Sequence, residues 1–215
     1  MRPGNPLVSM GPMASKDEIT RHHDADAGAA DWVAGGPMPG PVAIVEHDPA
    51  WAGQFLALEH RIRAALGPLA REVQHVGSTA VPGLAAKPVI DVDVAVPDPA
   101  DESAYRAALE GAGFLLVVRE PSWHEHRCFR LDEPAANLHV FGPDCPETTR
   151  HLMFRDWLRG HPEDRNLYQE AKRAAAAATN AVGGHVMDYN SRKEDVIRAI
   201  YERMFSAAGL GGRTA

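Results

Sequence analysis

Apolar positions along the chain follow two rhythms, and the switches between them mark most of the elements. Over VAIVEHD, Val42 to Asp48, they run almost together, which predicts a short strand ended by a turn at Asp48, Pro49 and Ala50. From Trp51 to Leu66 the rhythm changes: Phe55, Leu58, Ile62 and Leu66 recur at spacings of three and four. That is a helix with one buried face, stopped by Gly67 and Pro68. Arg71 to Val76 reads as a strand, Gly77, Ser78 and Thr79 as a turn, and Pro82 with Gly83 as a second break. Lys87 and Pro88 lead into a strand from Val89 to Val96, where Ile90, Val92 and Val94 alternate with Asp91 and Asp93.

Beyond Pro97 and Pro99, Asp101 to Gly111 predicts a helix whose acidic start suits the positive end of its dipole. A strand from Phe114 to Val118 follows. CFRLDEPAANLHVFG then reads as a hairpin with Leu138, Val140 and Phe129 on its buried side. After Glu147 the period is helical. Leu152, Phe154, Trp157 and Leu158 form a stripe up to Gly160, a long helix covers Glu163 to Ala178, and a last helix covers Ser191 to Ala207. The AAAAA end of the long helix offers little bulk, so it is expected to be exposed or set against a close neighbour. Strands alternating with helices and then a helical run predict an α/β (α+β) domain over residues 41–208. Residues 1–40, rich in Gly, Pro, Ala and Asp and carrying His22, His23 and GGPMPGP, predict a mostly flexible arm with one short helix around Asp17 to Asp31. Residues 209–215 predict a frayed tail.

Composition narrows the function classes. With 215 residues and 45% hydrophobic positions the chain can bury a core without disulfides. Its 22 Lys and Arg against 29 Asp and Glu leave a net charge of -7, which repels a long phosphate polymer, so no nucleic-acid polymer is expected as partner. A small anionic nucleotide remains compatible wherever basic side chains cluster. Cys128 and Cys145 make neither a ligand quartet nor a CxxC. No apolar run is long enough for a signal-peptide core or a membrane span, and the simplest expectation is a cytoplasmic protein without a membrane partner.

The candidate chemistry centres on residues 74–96. Two residues apart on a strand, Asp91 and Asp93 share a face about 7 Å apart. Two carboxylates so close among valines need solvent, a base or a divalent cation. Mg²⁺ is the expected cofactor, since one or two carboxylates plus substrate phosphates form its usual site. The same pattern also fits two aspartates on a solvated strand face. In the preceding turn, Gly77 admits close approach of a ligand, and Ser78 and Thr79 can donate to phosphate oxygens, with Lys87 as a balancing charge. His75, just before the turn, is either a site residue or a half-buried histidine with a hydrogen bond. Arg127 and Arg130 carry forks suited to phosphate, though Glu125, Asp132 and Glu133 can absorb them as ion pairs. Tyr168 with Lys172, and Tyr189 with Lys193, each stand four apart, so each pair shares a helical face and can meet the cleft. His124 and His126 resemble half of a zinc site but lack a third ligand.

The stretch HVGSTAVPGLAAKPVIDVDV, with HRCFR, LHVF, HLMFRDWLRGHP, Tyr168 to Lys172 and YNSRK, resembles the GrpB-like family of the nucleotidyltransferase superfamily over about residues 42–207. The resemblance implies a nucleotidyltransferase-like mixed sheet with flanking helices and a helical C-terminal part. It sets the Gly-Ser turn on Gly77 and Ser78 and the metal pair on Asp91 and Asp93, and it raises Arg155 among the polar residues of its segment. Polymerase-type members carry a third carboxylate on a neighbouring strand, where this chain has His139, as base or phosphate ligand. Some members are fused to a kinase of coenzyme A biosynthesis, which points to nucleotide chemistry. The resulting expectation is Mg²⁺-dependent transfer of a nucleotidyl or phosphoryl-linked group from a nucleoside triphosphate to a small molecule. The alternatives are a noncatalytic nucleotide- or cofactor-binding module, and a small-molecule ligase that reuses the cleft.

Overall fold

The computed structural model describes residues 14–22, 31–34, 36 and 40–211. His23, most of GGPMPGP and residues 212–215 lie outside them. Helix α2 (Ala50–Leu66) buries Trp51, Leu58, Ile62 and Leu66, and α3 (Glu102–Gly111) buries Tyr105 and Leu109. Both pack on one face of a mixed sheet built from β2 (Glu72–Val76), β3 (Ile90–Ala95), β4 (Leu115–Glu120), β5 (His126–Leu131) and β6 (Ala136–Phe141). A two-residue strand β1 (Asp31–Trp32) completes the sheet, whose order is β1-β4-β5-β6-β3-β2. The β3–β6 pair is parallel and the rest are antiparallel.

Register decides which side chains share a face. Ile90, Val92 and Val94 meet α2 and α3 in the main core together with Leu138 and Val140 of β6. Their neighbours Asp91 and Asp93 therefore point the other way, alongside their partners Asn137 and His139 on β6 and Val76 and Gln74 on β2. Four helices stand on that polar side: α4 (Pro146–Gly160), α5 (Pro162–Ala181), α6 (Val186–Arg192) and α7 (Glu194–Ala207). Among the described residues no helix is long and apolar enough to cross a membrane.

Three expectations change. VAIVEHD is not a strand: Val45 makes only an isolated bridge to Ala86, because no sheet edge runs beside the rest of it. The last helix begins earlier and breaks at Lys193, which caps α6 and starts α7. The predicted N-terminal helix is short, α1 (Lys16–Thr20), opened by a Ser15–Glu18 capping box and ended at Arg21, and residues 23–30 lie outside the described residues. Ile19 of α1 packs against the Tyr201, Met204 and Phe205 cluster, while Asp31 and Trp32 pair with β4. The alanine run has its close neighbours: Ala175 and Ala176 pack with Val42 and Tyr189.

Candidate functional site

Gly77 closes β2 with φ +67, and a short 3-10 turn, Ser78–Ala80, follows. Its bare α-carbon lies against the Asp91 carboxylate, so any Cβ there would overlap that group. The turn is clamped from α4: Arg155 donates to the His75 carbonyl at 3.0 Å, and Arg159 donates twice to the Ala80 carbonyl, at 3.1 and 2.7 Å. Both arginines also bond Asp156. Arg155 thus holds backbone in place. Ser78 is half-exposed on the turn.

Asp91 is half-exposed, and its Oδ1 accepts from Asn137 at 2.9 Å with His139 Nε2 at 3.9 Å. Burial opposes its ionisation, but His139, Asn137 and the charge of Lys87 more than offset this and hold its carboxyl below the ordinary range. Behind His139 runs a chain of ring nitrogens. His139 Nδ1 lies 3.0 Å from His126 Nε2, and His126 Nδ1 lies 2.7 Å from Glu120. Burial pushes His126 down to about 4, so it is neutral and gives its single proton to Glu120. Its Nε2 must then accept from His139 Nδ1–H. That leaves Nε2 as the His139 atom turned to Asp91. Burial pulls His139 down, yet Cys128, Asp91 and Asp93 together lift it well above an ordinary histidine. As an imidazolium it suits a phosphate or acceptor oxygen better than it suits a proton-accepting role.

Asp93 departs from the open site its pattern predicts. Helix α4 lies over it, leaving 3% of it exposed, and His151 donates to its Oδ2 at 2.8 Å. Burial lowers His151, but Asp93 and Glu147 raise it by more. The second oxygen, Oδ1, is buried with no hydrogen-bond partner. Removing the ring in His151→Ala leaves both carboxylate oxygens unpaired. The expected loss is roughly 2 kcal/mol of stability in urea unfolding, with His151→Gln recovering part of it.

On the other side of Asp91, three lysines gather. Lys172, 2% exposed, donates to the Ala85 carbonyl at 2.5 Å and sits 4.5 Å from the centre of the Tyr168 ring. Lys193 lies over Tyr168 and Tyr189, at 5.9 and 5.0 Å, and Lys87 lies 5.6 Å from Tyr189. The two Tyr–Lys pairs do converge, as their spacing predicts. Burial lowers Lys87, and it lowers Lys172 from 10.5 to about 7, with Lys193 and Arg173 adding repulsion and Asp91 opposing. Between pH 7 and 9 an unfolded Lys172 keeps a proton that the folded one has lost. Stability therefore rises with pH across that window, by roughly 2 kcal/mol from this residue. Urea unfolding of Lys172→Met at pH 7 and pH 9 is expected to lack that rise.

Several predicted site residues lie elsewhere. His75 pairs in register with Val92, so it faces α2, stacks on Phe55 at 4.7 Å and bonds Thr79 Oγ1 at 3.0 Å. Thr79 is buried in that contact and does not present its hydroxyl to the cleft. Arg127 pairs with Val140 and also faces the core side, where Glu102 and the Glu125 carbonyl hold it. Arg130 pairs with Asn137, which places it on the polar face, restrained only by Asp132 at 3.7 Å. His126 belongs to the ring chain, and among the described residues no zinc-like set forms around it and His124. Glu120, Asn137, His151 and Arg159 are additions. Of these, Asn137 was foreshadowed by its alternation with Leu138.

As a metal site, Asp91 and the orphaned Oδ1 of Asp93 supply hard oxygens of the kind Mg²⁺ takes. Among the described residues no three His, Cys, Asp or Glu side chains converge on one metal-sized point. Any further ligands would come from a substrate or water.

Fold and site together define an α/β protein with a six-stranded mixed sheet, an aspartate strand, a glycine turn and a lysine cluster. The chain belongs to the GrpB family, whose GrpB protein description matches residues 41–203. It is 42% identical over 167 residues to a UPF0157 protein of Halalkalibacterium halodurans, covering 78% of this chain and 84% of that one. A dephospho-CoA kinase of Mycolicibacterium paratuberculosis is 30% identical over 199 residues, covering 80% of this chain but only 48% of the kinase. The crystal structure of the conserved protein GrpB from Enterococcus faecalis aligns with a TM-score of 0.66 and 26% identity, over 78% of this chain and 99% of that one.

Proposed function

We propose that the protein transfers a nucleotidyl or other phosphoryl-linked group from a nucleoside triphosphate to a small molecule. One observation carries this reading: three lysines from separate segments, with no carboxylate ion pair of their own among the described residues, gather beside one half-exposed aspartate at a glycine turn. Burial and mutual repulsion lower Lys87 and Lys172, and an anion of several charges beside them would favour their protonated forms.

In this reading Asp91 and the free oxygen of Asp93 would hold Mg²⁺, whose charge would offset that of the phosphates. Lys87, Lys172 and Lys193 bind the phosphate chain, with the amides around Ser78 as further donors. His139, held in orientation through Nδ1–H by His126 and Glu120, directs Nε2–H at an acceptor or phosphate oxygen. The acceptor's lone pair forms the new bond at phosphorus as the bond to the bridging oxygen breaks. Pyrophosphate, or the nucleoside diphosphate, leaves, and the acceptor's proton passes to water.

The test is direct. Purified protein with labelled nucleoside triphosphates, Mg²⁺ and a metabolite extract is expected to yield a product heavier by a nucleotidyl or phosphoryl group. No such product, with loss of water between two substrates instead, would establish the ligase alternative. A second reading rests on Asp93: its burial under α4 and its bond to His151 suit a module that binds a nucleotide without transferring it. The similarity to dephospho-CoA kinases makes coenzyme A precursors natural ligands to include. Saturable calorimetric binding with no product would favour that reading.

A further inference from the structure

We propose that this site selects its nucleotide by the phosphate chain and is indifferent to the base. The inference rests on the nucleotide reading above and specifies its substrate class.

The argument starts from where aromatic surface is available. Base recognition draws on ring faces for stacking, worth about 1–3 kcal/mol per base. Among the described residues, the tyrosines, Trp157 and His75 near the Gly77 turn and the lysines already have a ring face in contact. Tyr189, 1% exposed, lies under Lys87 and Lys193 and packs with Val42, Ala175 and Ala176. Tyr168, 5% exposed, lies under Lys172 and Lys193 with Phe154 edge-on at 5.6 Å. Trp157 stacks on His161 and gives its indole N–H to Asp164 at 2.7 Å. His75 is stacked on Phe55 on the far side of the sheet.

Two amides beside the cluster are partly committed as well, and Gln74 pairs with Asp93 rather than with Asp91. Asn137 donates to Asp91, and Gln169 accepts from the Ala85 N–H at 2.8 Å. What remains for a ligand is charge. Lys193 shares one ring with Lys172 and the other with Lys87, so the three side chains form one basic cluster on the side of Asp91. A triphosphate matches such a cluster, and a monophosphate has too little charge to engage all of it.

Calorimetry in Mg²⁺ buffer with ATP, GTP, CTP, UTP, inorganic triphosphate, AMP and adenosine tests this. The four triphosphates are expected to bind within about 3-fold of one another, since no stacking or edge contact separates them. Inorganic triphosphate is expected within about 10-fold of ATP, AMP at least about 100-fold weaker, and adenosine not at all. Lys193→Gln, at a half-exposed position, is expected to weaken every triphosphate by the same factor, with unchanged unfolding by urea. A preference above about 30-fold for one base, or adenosine binding near ATP, overturns the proposal. So does a failure of all triphosphates to bind. Triphosphate binding as described, without any transfer product, removes the transferase reading and leaves this inference standing. Transfer restricted to one base does the reverse.

Discussion

Asp91→Asn is expected to lower nucleotide-dependent product formation about 1,000-fold, roughly 4 kcal/mol of transition-state stabilisation. The substitution is nearly isosteric, and the Asn137 contact can be kept through the remaining carbonyl oxygen, so the fold is expected to persist. What disappears is the half-exposed charge beside the lysine cluster on which the proposed Mg²⁺ site depends. Binding without metal separates charge from shape. In EDTA, Asp91→Asn is expected to bind inorganic triphosphate at least as tightly as the parent, because Asp91 repels the phosphates when no cation lies between them. Turnover equal to the parent's would remove Asp91 from the chemistry. Weaker metal-free binding would place it in the anion site instead.

How far the chain could be read in advance depended on whether a local rhythm decided the outcome. Period two did so in β3, where Ile90, Val92 and Val94 enter the core and Asp91 and Asp93 turn away. The same rule applied to HRCFR would have separated Arg127 from Arg130: Arg127 shares parity with Phe129, which is fully buried, while Arg130 shares it with Cys128 on the polar face. VAIVEHD shows the limit, since β-branched runs become strands only beside a free edge, and Val45 finds one bridge. Lid-like packing was invisible as well. Nothing in the IDVDV pattern says that α4 will set His151 on Asp93, because that contact joins residues 58 positions apart. Helical spacing did bring Tyr168, Lys172, Tyr189 and Lys193 together, although the last pair spans a break between two helices. The His126–His139 chain arises from two neighbouring strands whose register no local pattern reveals.

Gly77→Ala is expected to cost about 100-fold in turnover, and Gly83→Ala is the control that shows why. Both glycines have positive φ, +67 and +77, so an alanine at either meets the left-handed penalty of roughly 1–2 kcal/mol in stability. They differ in what the added methyl touches. Around Gly83 there is nothing within 4 Å, whereas at Gly77 the methyl overlaps the Asp91 carboxylate. The backbone there has little room to yield, because Arg155 and Arg159 grip the carbonyls on either side of the turn. Asp91 must therefore give way, and its departure breaks the Asn137 contact and moves the charge away from the lysines. Urea unfolding is expected to shift by the left-handed penalty alone in Gly83→Ala and by about 1 kcal/mol more in Gly77→Ala, while turnover and triphosphate binding fall only in Gly77→Ala. Equal turnover in both would mean that the glycine serves the bend of the chain alone, and that the nearness of Asp91 to the turn has no part in binding the phosphate chain.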